Sequence, residues 1–399
     1  MNVCVLGLRG VPRVMGGVET HCEQLFPLLK RARPRDTFTV IARKRYVAER
    51  RFEYMGLTVV SLAHASDKRL ETITNAICGV FYAGFVLRAD LLHLQGIGAA
   101  VAVPLAKLFG MTVITTYHSK NYEHSKWNAV ARFVLRAGEL FAVAIGDRII
   151  VVSRSLERDL KQRFPGAAHK VFFIPNGADH LDDAPDCSSD EELLREHGLT
   201  GRRYVVAVGR LVPEKGLHDL IEAFEAVDLA GCQLVIVGDA DHDDAYARRL
   251  RSCAGDRIVF TGFLPREKVY GLLRNASLFV LPSYNEGMPI AALEAITAGA
   301  PILLSDIEPN RDLGLEPRNY FAVGNVDDLR RKIREDHASY AVDRCAILRR
   351  YSWGSACAQT SELYASIEEH LSAKRGRTVL QPASLSSAGA RNNQADQGA

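Results

Sequence analysis

Three segments hold residue types and spacings from which a phosphate and sugar site can be built. The first is LPSYNEGMPIAALEAITAGAPILLSD (281–306), in which Glu286 and Glu294 have seven residues between them. Glu286 and Gly287 fall in a turn after an apolar strand pattern. A helix is expected to start at Met288 and Pro289, proline being suited to a first helical turn. Glu294 then lies about one and a half turns in, among Ile290, Ala291, Leu293 and Ile296. An isolated carboxylate there is costly without a partner. The hydroxyls of a ribose would satisfy it, and so would a structural arginine. Backbone amides at 287–289 point toward the same space and suit a phosphate.

The second segment, VGRLVPEKG (208–216), leaves a strand pattern and enters a helix near Gly216. Arg210 and Lys215 suit a diphosphate there, the guanidinium as a fork and the ammonium as a point charge. Without a ligand they are two solvated surface cations. The third, GLRGVPRVMGGVET (7–20), also joins a strand to a helix. Its glycines at 7, 10, 16 and 17 do not have dinucleotide-fingerprint spacing. Gly16 and Gly17 leave room for an anion or a sugar ring against bare backbone, or form a flexible loop with no ligand.

One further pattern points elsewhere. GDADHDD (238–244) contains Asp-x-Asp, which suits a divalent cation. Arg210 and Lys215 already offer positive charge, and acids at the start of a helix are favoured by its dipole alone. No metal role is therefore expected. His21, His93 and His124 show no ligand spacing.

These segments need a scaffold, and the chain supplies two. Apolar strand patterns at 2–8, 37–42, 57–62, 90–95, 111–117, 147–153 and 170–175 alternate with helical stretches at 17–32, 69–88, 98–109 and 125–145. Strands apolar on both faces, each followed by a helix, indicate a parallel sheet covered on both sides. The acidic, turn-rich stretch 177–201 interrupts the alternation and reads as a linker. Strands then recur at 203–210, 232–239, 257–263, 277–283, 300–306 and 319–324, with helices at 216–227, 242–254, 265–275, 288–299 and 326–349. The expected fold class is α/β, with two doubly wound Rossmann-like domains, 1–178 and 179–351, facing a central cleft. A helix over 352–373 is expected to pack back on the N-terminal domain. The stretch 374–399, rich in Ser, Ala, Gly, Asn and Gln, is expected to be disordered. In such sheets ligands sit at the carboxyl ends of the strands, so the cleft is the natural site.

Composition narrows the class. The chain has 399 residues, 47% hydrophobic and 24% charged, which excludes wholesale disorder. Residues 1–180 carry 25 Lys and Arg against 14 Asp and Glu, and the remainder carries 25 against 33, so a net +3 divides into +11 and −8. The eight cysteines form no CxxC pair and read as buried hydrophobes of a reducing compartment. No signal peptide is expected, and the apolar run 73–87 is too short and polar to span a bilayer. The basic segments 42–51 and 126–138 carry cations beside aromatic residues, which suits either an anionic membrane surface or a solvated basic face. A nucleic-acid partner is not expected, because no aromatic-basic recognition motif accompanies the charge.

GGVET near the start, GRLVPEKG, EGMPIAALE and GAPILLSD, in that order, resemble a GT-B fold glycosyltransferase of the family 4 type with its E-x7-E signature. The resemblance covers 1–372, and GLRGVPRVMGGVETH is similar to a subgroup from bacterial cell-surface polysaccharide assembly. It implies that Arg210 and Lys215 hold the donor diphosphate. Glu286 then lies near the donor sugar hydroxyls, and Glu294 binds the ribose. Gly287, Met288 and Pro289 cradle the distal phosphate, while Gly16 and Gly17 close over the diphosphate and sugar. His118 would stand beside the reacting carbon, although Ser119 follows it where the family pattern has glycine. Phe263 and Leu264 match the positions that pack the base. The implied reaction moves a sugar, with retention, from a nucleotide-diphosphate donor to a lipid-linked or saccharide acceptor, with no metal cofactor, at the inner face of the cytoplasmic membrane or in the cytoplasm. Rival expectations are an epimerase or phosphorylase on the same fold, and a silent sugar-nucleotide-binding subunit.

Overall fold

The computed structural model describes residues 1–65, 70–120, 122, 129–179, 188–240 and 244–379, with side chains for all of these but 188, 189 and 374–379. The first sheet contains β1 (Asn2–Leu6), β2 (Thr37–Arg43), β3 (Arg51–Tyr54), β4 (Leu57–Leu62), β5 (Leu91–Gln95), β6 (Thr112–Tyr117), β7 (Arg148–Val151) and β8 (Val171–Phe173). Their order is β3-β4-β2-β1-β5-β6-β7-β8. All neighbours are parallel except β3, which runs antiparallel to β4 at the edge.

The second sheet contains β9 (Arg203–Val208), β10 (Cys232–Val237), β11 (Ile258–Gly262), β12 (Leu278–Leu281), β13 (Ile302–Ser305) and β14 (Tyr320–Phe321). It is wholly parallel, in the order β11-β10-β9-β12-β13-β14. The strand order turns back between β1 and β5 in the first sheet and between β9 and β12 in the second. Loops leaving those strands are thus splayed apart, and a crevice opens between them.

Burial explains why the strand patterns are so apolar. Val3 to Leu6 of β1 and every residue of β10 are buried, as strands with helices on both faces must be. Cys4 and Cys232 are buried free thiols, and burial pushes the Cys4 thiol up to about 12. Cys78 and Cys345 are exposed, against the expectation of uniform burial.

The structure adds elements and corrects others. Strand β3 (RFEY) alternates charged and aromatic residues over four positions, too short a pattern to stand out. The helix Arg154–Arg163 is mostly charged and buries only Ser155, Leu156 and Leu160; Ser153 caps it by accepting from the Leu156 amide. The stretch 177–201 is more than a linker, because it contains the helix Ser188–Glu196. Asp190 there accepts from Arg274 and Asn275, and Leu193 joins the core of the second sheet. The helix expected over 326–349 is two, Val326–Ile333 and Arg344–Arg350, the second started by an Asp343 cap.

The chain forms two compact units, Met1–Ser361 and Glu362–Ala399. The first holds both sheets. The second is helical to Val379, the end of a helix that begins at Trp353. Residues 374–379 of the expected disordered stretch are therefore helical, and 380–399 lie outside the described residues. Among the described residues no helix is long and apolar enough to cross a membrane.

Candidate functional site

A cavity of about 1910 Å³ lies where the carboxyl ends of the two sheets face each other. The loop after β9 forms one wall. Residues Pro213–Lys215 make a short 3-10 turn, and Gly216 reverses the chain into the helix Leu217–Glu225. Gly216 has φ +64°, and a Cβ there would stand 2.0 Å from the Pro282 carbonyl oxygen, so this turn needs glycine. Arg210 and Lys215 both line the cavity.

The loop after β12 is bound to this wall. The Tyr284 amide donates to the Glu214 carbonyl at 2.9 Å. Lys215 Nζ donates to Glu286 Oε1 at 2.5 Å, and Ser283 Oγ donates to the same oxygen at 2.6 Å. One carboxylate thus holds the lysine from the neighbouring loop, with side-chain exposures of 10% for Glu286 and 21% for Lys215. The helix Ile290–Thr297 starts after Pro289 with no side-chain cap on its first amides, and Gly287, Met288 and Pro289 line the cavity.

Glu294 is buried on that helix at 5% exposure. Its Oε1 accepts from Arg266 Nη1, and Arg266 Nη2 donates to Thr20 Oγ1 on the helix Gly17–Ala32. The partner present is thus the arginine of the two expected alternatives. Arg266 also ties the second sheet's domain to the first across the cavity.

The first sheet supplies the opposite wall. Gly16 and Gly17 open the helix Gly17–Ala32, and a Cβ at Gly17 would meet no atom within 4 Å. Glu19 Oε1 accepts from the Arg9 amide at 2.9 Å and fixes the preceding loop. His118 follows β6 and lines the cavity; its ring Nε2 donates to Gln95 Oε1 at 2.9 Å. The His118 carbonyl lies so close to Gly287 that a Cβ on the glycine would stand 1.4 Å from its oxygen. The Asn176 amide donates to Met288 Sδ at 3.3 Å, a second contact between the halves. Phe263 and Leu264 also line the cavity, Phe263 at 46% exposure. All twelve residues singled out from the sequence border this one space.

Sequence reasoning missed Arg266, Thr20, Gln95 and the role of His21. Nothing in TGFLPREK marks Arg266, because its partners lie far off in sequence. His21 is buried, its ring Nδ1 donating to Asn176 Oδ1 at 2.8 Å. Its ring meets His118 edge-on at 4.8 Å and Trp353 at 5.8 Å. Burial pushes the His21 pKa down to about 4 and that of His93 to about 3; His118 is also lowered, by burial and then by the other two histidines.

All three rings are therefore neutral in the folded protein near pH 7. The unfolded chain binds protons at about 6.5 that the fold refuses until about 4 at His21 and about 3 at His93, so stability is full above pH 6.5 and falls as pH drops toward those values. The melting temperature is expected to drop by several degrees between pH 6.5 and 4. His93→Gln should flatten that slope, and an unchanged slope would contradict the assignment.

Two basic or acidic segments read differently in three dimensions. Arg43, within the basic stretch 42–51, is buried and paired with Glu71 at 2.9 Å. Asp239 pairs with Arg251, and Asp244 caps the helix Ala245–Arg251 through the Ala247 amide at 2.9 Å. Residues 241–243, like His124, lie outside the described residues. Among the described residues no group of three His, Cys, Asp or Glu side chains is placed to hold a metal.

Two Rossmann-like parallel sheets facing a cavity at their carboxyl ends constitute the GT-B architecture of glycosyltransferases. Residues 15–180 match the family model Glycosyltransferase Family 4, and residues 189–336 match Glycosyl transferases group 1. The chain belongs to the family 4 glycosyltransferases. It is similar to the glycogen synthase of Mycobacterium tuberculosis, 28% identical over 313 residues that span 74% of this chain and 72% of the relative. It is also similar to an Escherichia coli UDP-Gal:alpha-D-GlcNAc-diphosphoundecaprenol alpha-1,3-galactosyltransferase, 30% identical over 236 residues, 56% of this chain and 59% of the relative. In fold it matches Anabaena HepE in complex with UDP-glucose, with TM-score 0.73 and 19% identity over 92% of this chain and 100% of the other.

Proposed function

We propose that this glycosyltransferase moves a sugar from a nucleoside diphosphate donor to a hydroxyl of a lipid-linked or saccharide acceptor in cell-surface polysaccharide assembly. The observation that carries the reading is the Lys215–Glu286 pair beside Arg210 and the backbone at Gly287 and Met288, all on one cavity wall. The two cations and the helix amides stabilise charge developing on the departing diphosphate, an electrostatic role that needs no metal cofactor. Glu286 orients the donor sugar, and Glu294 receives the ribose hydroxyls when they enter beside Arg266. Phe263 and Leu264 pack the base. His118, neutral, faces the reacting carbon from the other sheet.

Retention at the anomeric carbon, with the donor phosphate taking the acceptor proton, is the stereochemical course that the family 4 resemblance implies, and it is part of this proposal. The HepE complex and the diphosphoundecaprenol acceptor of the Escherichia coli relative support this choice of donor and acceptor class. The enzyme then works in the cytoplasm or on the inner face of the membrane.

Melting-temperature shifts across a panel of nucleotide sugars test the donor, since stabilisation follows binding. One nucleotide sugar should raise the melting temperature. Glu294→Ala should weaken that donor about tenfold or more, consistent with loss of hydrogen bonds to a carboxylate worth roughly 1.5–3 kcal/mol. No stabilisation by any nucleotide sugar, or an unchanged affinity in Glu294→Ala, contradicts the proposal. The anomer of the product, read by NMR, tests retention.

A further inference from the structure

The three helical segments on one face of the first sheet carry an unusual surface. Glu71–Phe81 with its continuation Tyr82–Leu87, Ala99–Leu108, and Ala129–Ala144 pack through Ala76, Val80, Ala83, Ala100, Ala106 and Ala142 onto the same core. Their outer sides leave large apolar side chains in solvent: Phe85 is 70% exposed, Leu108 85%, Val130 70% and Phe133 73%. Phe81 and Phe85 stack at 6.1 Å, and both meet Phe109 edge-on.

Charge on these segments is one-sided. Their two acids, Glu71 and Glu139, are buried and paired with Arg43 and Arg163. Arg88, directly after Tyr82–Leu87, and Arg132 and Arg136, on Ala129–Ala144, are exposed. Monomeric surfaces rarely keep apolar side chains together in this way without a partner. A second copy placed by a twofold axis would set arginines against arginines. The surface also reaches the cavity, because Leu70 and Val130 are exposed and line it.

We propose that this face docks on an anionic lipid bilayer, with Phe85, Phe133 and Leu108 entering the headgroup boundary and Arg88, Arg132 and Arg136 meeting lipid phosphates. The cavity mouth at Leu70 and Val130 then opens toward the membrane, where an acceptor carried on a lipid can enter it. This docking deepens the lipid-linked reading of the acceptor but does not depend on the identity of the donor.

The test is flotation of the full chain with vesicles of pure phosphatidylcholine and of phosphatidylcholine with about 30% phosphatidylglycerol, near 0.1 M salt. The expected result is binding to the anionic vesicles, at least tenfold weaker binding to the neutral ones, and loss of tenfold or more in F85S/F133S. R132Q/R136Q should weaken anionic binding and reduce the preference for it. No flotation with anionic vesicles, or flotation unchanged in both variants, overturns the proposal. Sedimentation velocity showing a dimer that F85S/F133S dissociates overturns it too, because the patch then belongs to a second copy. Nucleotide-sugar melting shifts on the same preparations report separately on the donor site. Intact shifts with failed flotation remove the membrane face alone.

Discussion

Replacing Lys215 with alanine lowers turnover by roughly 10²–10³-fold, the range expected when one preorganised charge on a reacting group is removed. The reason is geometric. The ammonium is fixed from two sides, by the 3-10 turn Pro213–Lys215 and by Glu286 at 2.5 Å. It is thus in place before a donor arrives and needs no reorganisation as charge develops on the leaving diphosphate. Without it, Glu286 keeps Ser283 as a donor but loses its cation. Donor transfer and hydrolysis rates, with a circular dichroism melt as control, measure the effect. A variant within about threefold of the parent rate, with an intact melt, would remove Lys215 from the chemistry.

Gly287→Ala should cost nearly as much in rate by a different route. The new Cβ would stand 1.4 Å from the His118 carbonyl oxygen, an overlap no rotamer can relieve because the backbone fixes the position of both atoms. The turn after β12 must therefore move away from the loop after β6. Overpacking of this kind typically costs 1–3 kcal/mol. It also separates His118 from the Lys215–Glu286 wall, and a misplacement of about 1 Å can cost 10²-fold in rate. Nucleotide affinity should fall far less, since Arg210, Lys215 and Glu294 stay on the second sheet's side. Equal losses in affinity and turnover would place the damage in the donor pocket instead.

Much of this was legible in the sequence because parallel strands write themselves as unbroken apolar runs. NVCVL is buried from Val3 onward and CQLVIV throughout, and their helices follow at regular distance. The cavity's residues were legible because they follow such strands. Less visible were elements whose stability comes from partners distant in sequence. The helix Ser188–Glu196 looks like an acidic linker until Asp190 meets Arg274. The Arg266 bridge joins residues 20, 266 and 294, and Arg43 reads as a surface cation until Glu71 covers it. The split of 326–349 was encoded locally, in Asp336 and Asp343, but helical periodicity masked those two caps.

The join between the halves has a consequence for how the enzyme melts. Asp312, from the second sheet's side, accepts the Ser155 amide at 2.6 Å at the start of the helix Arg154–Arg163. Asp179 does the same for the Trp353 amide, also at 2.6 Å. If one sheet unravels alone, the Ser155 amide loses its carboxylate acceptor, a charge-assisted hydrogen bond worth roughly 1.5–3 kcal/mol. Denaturation of one half thus raises the free energy of the other. Met1–Ser361, two folds by topology but one compact unit, is therefore expected to melt in a single calorimetric transition, and two resolved transitions would contradict this coupling.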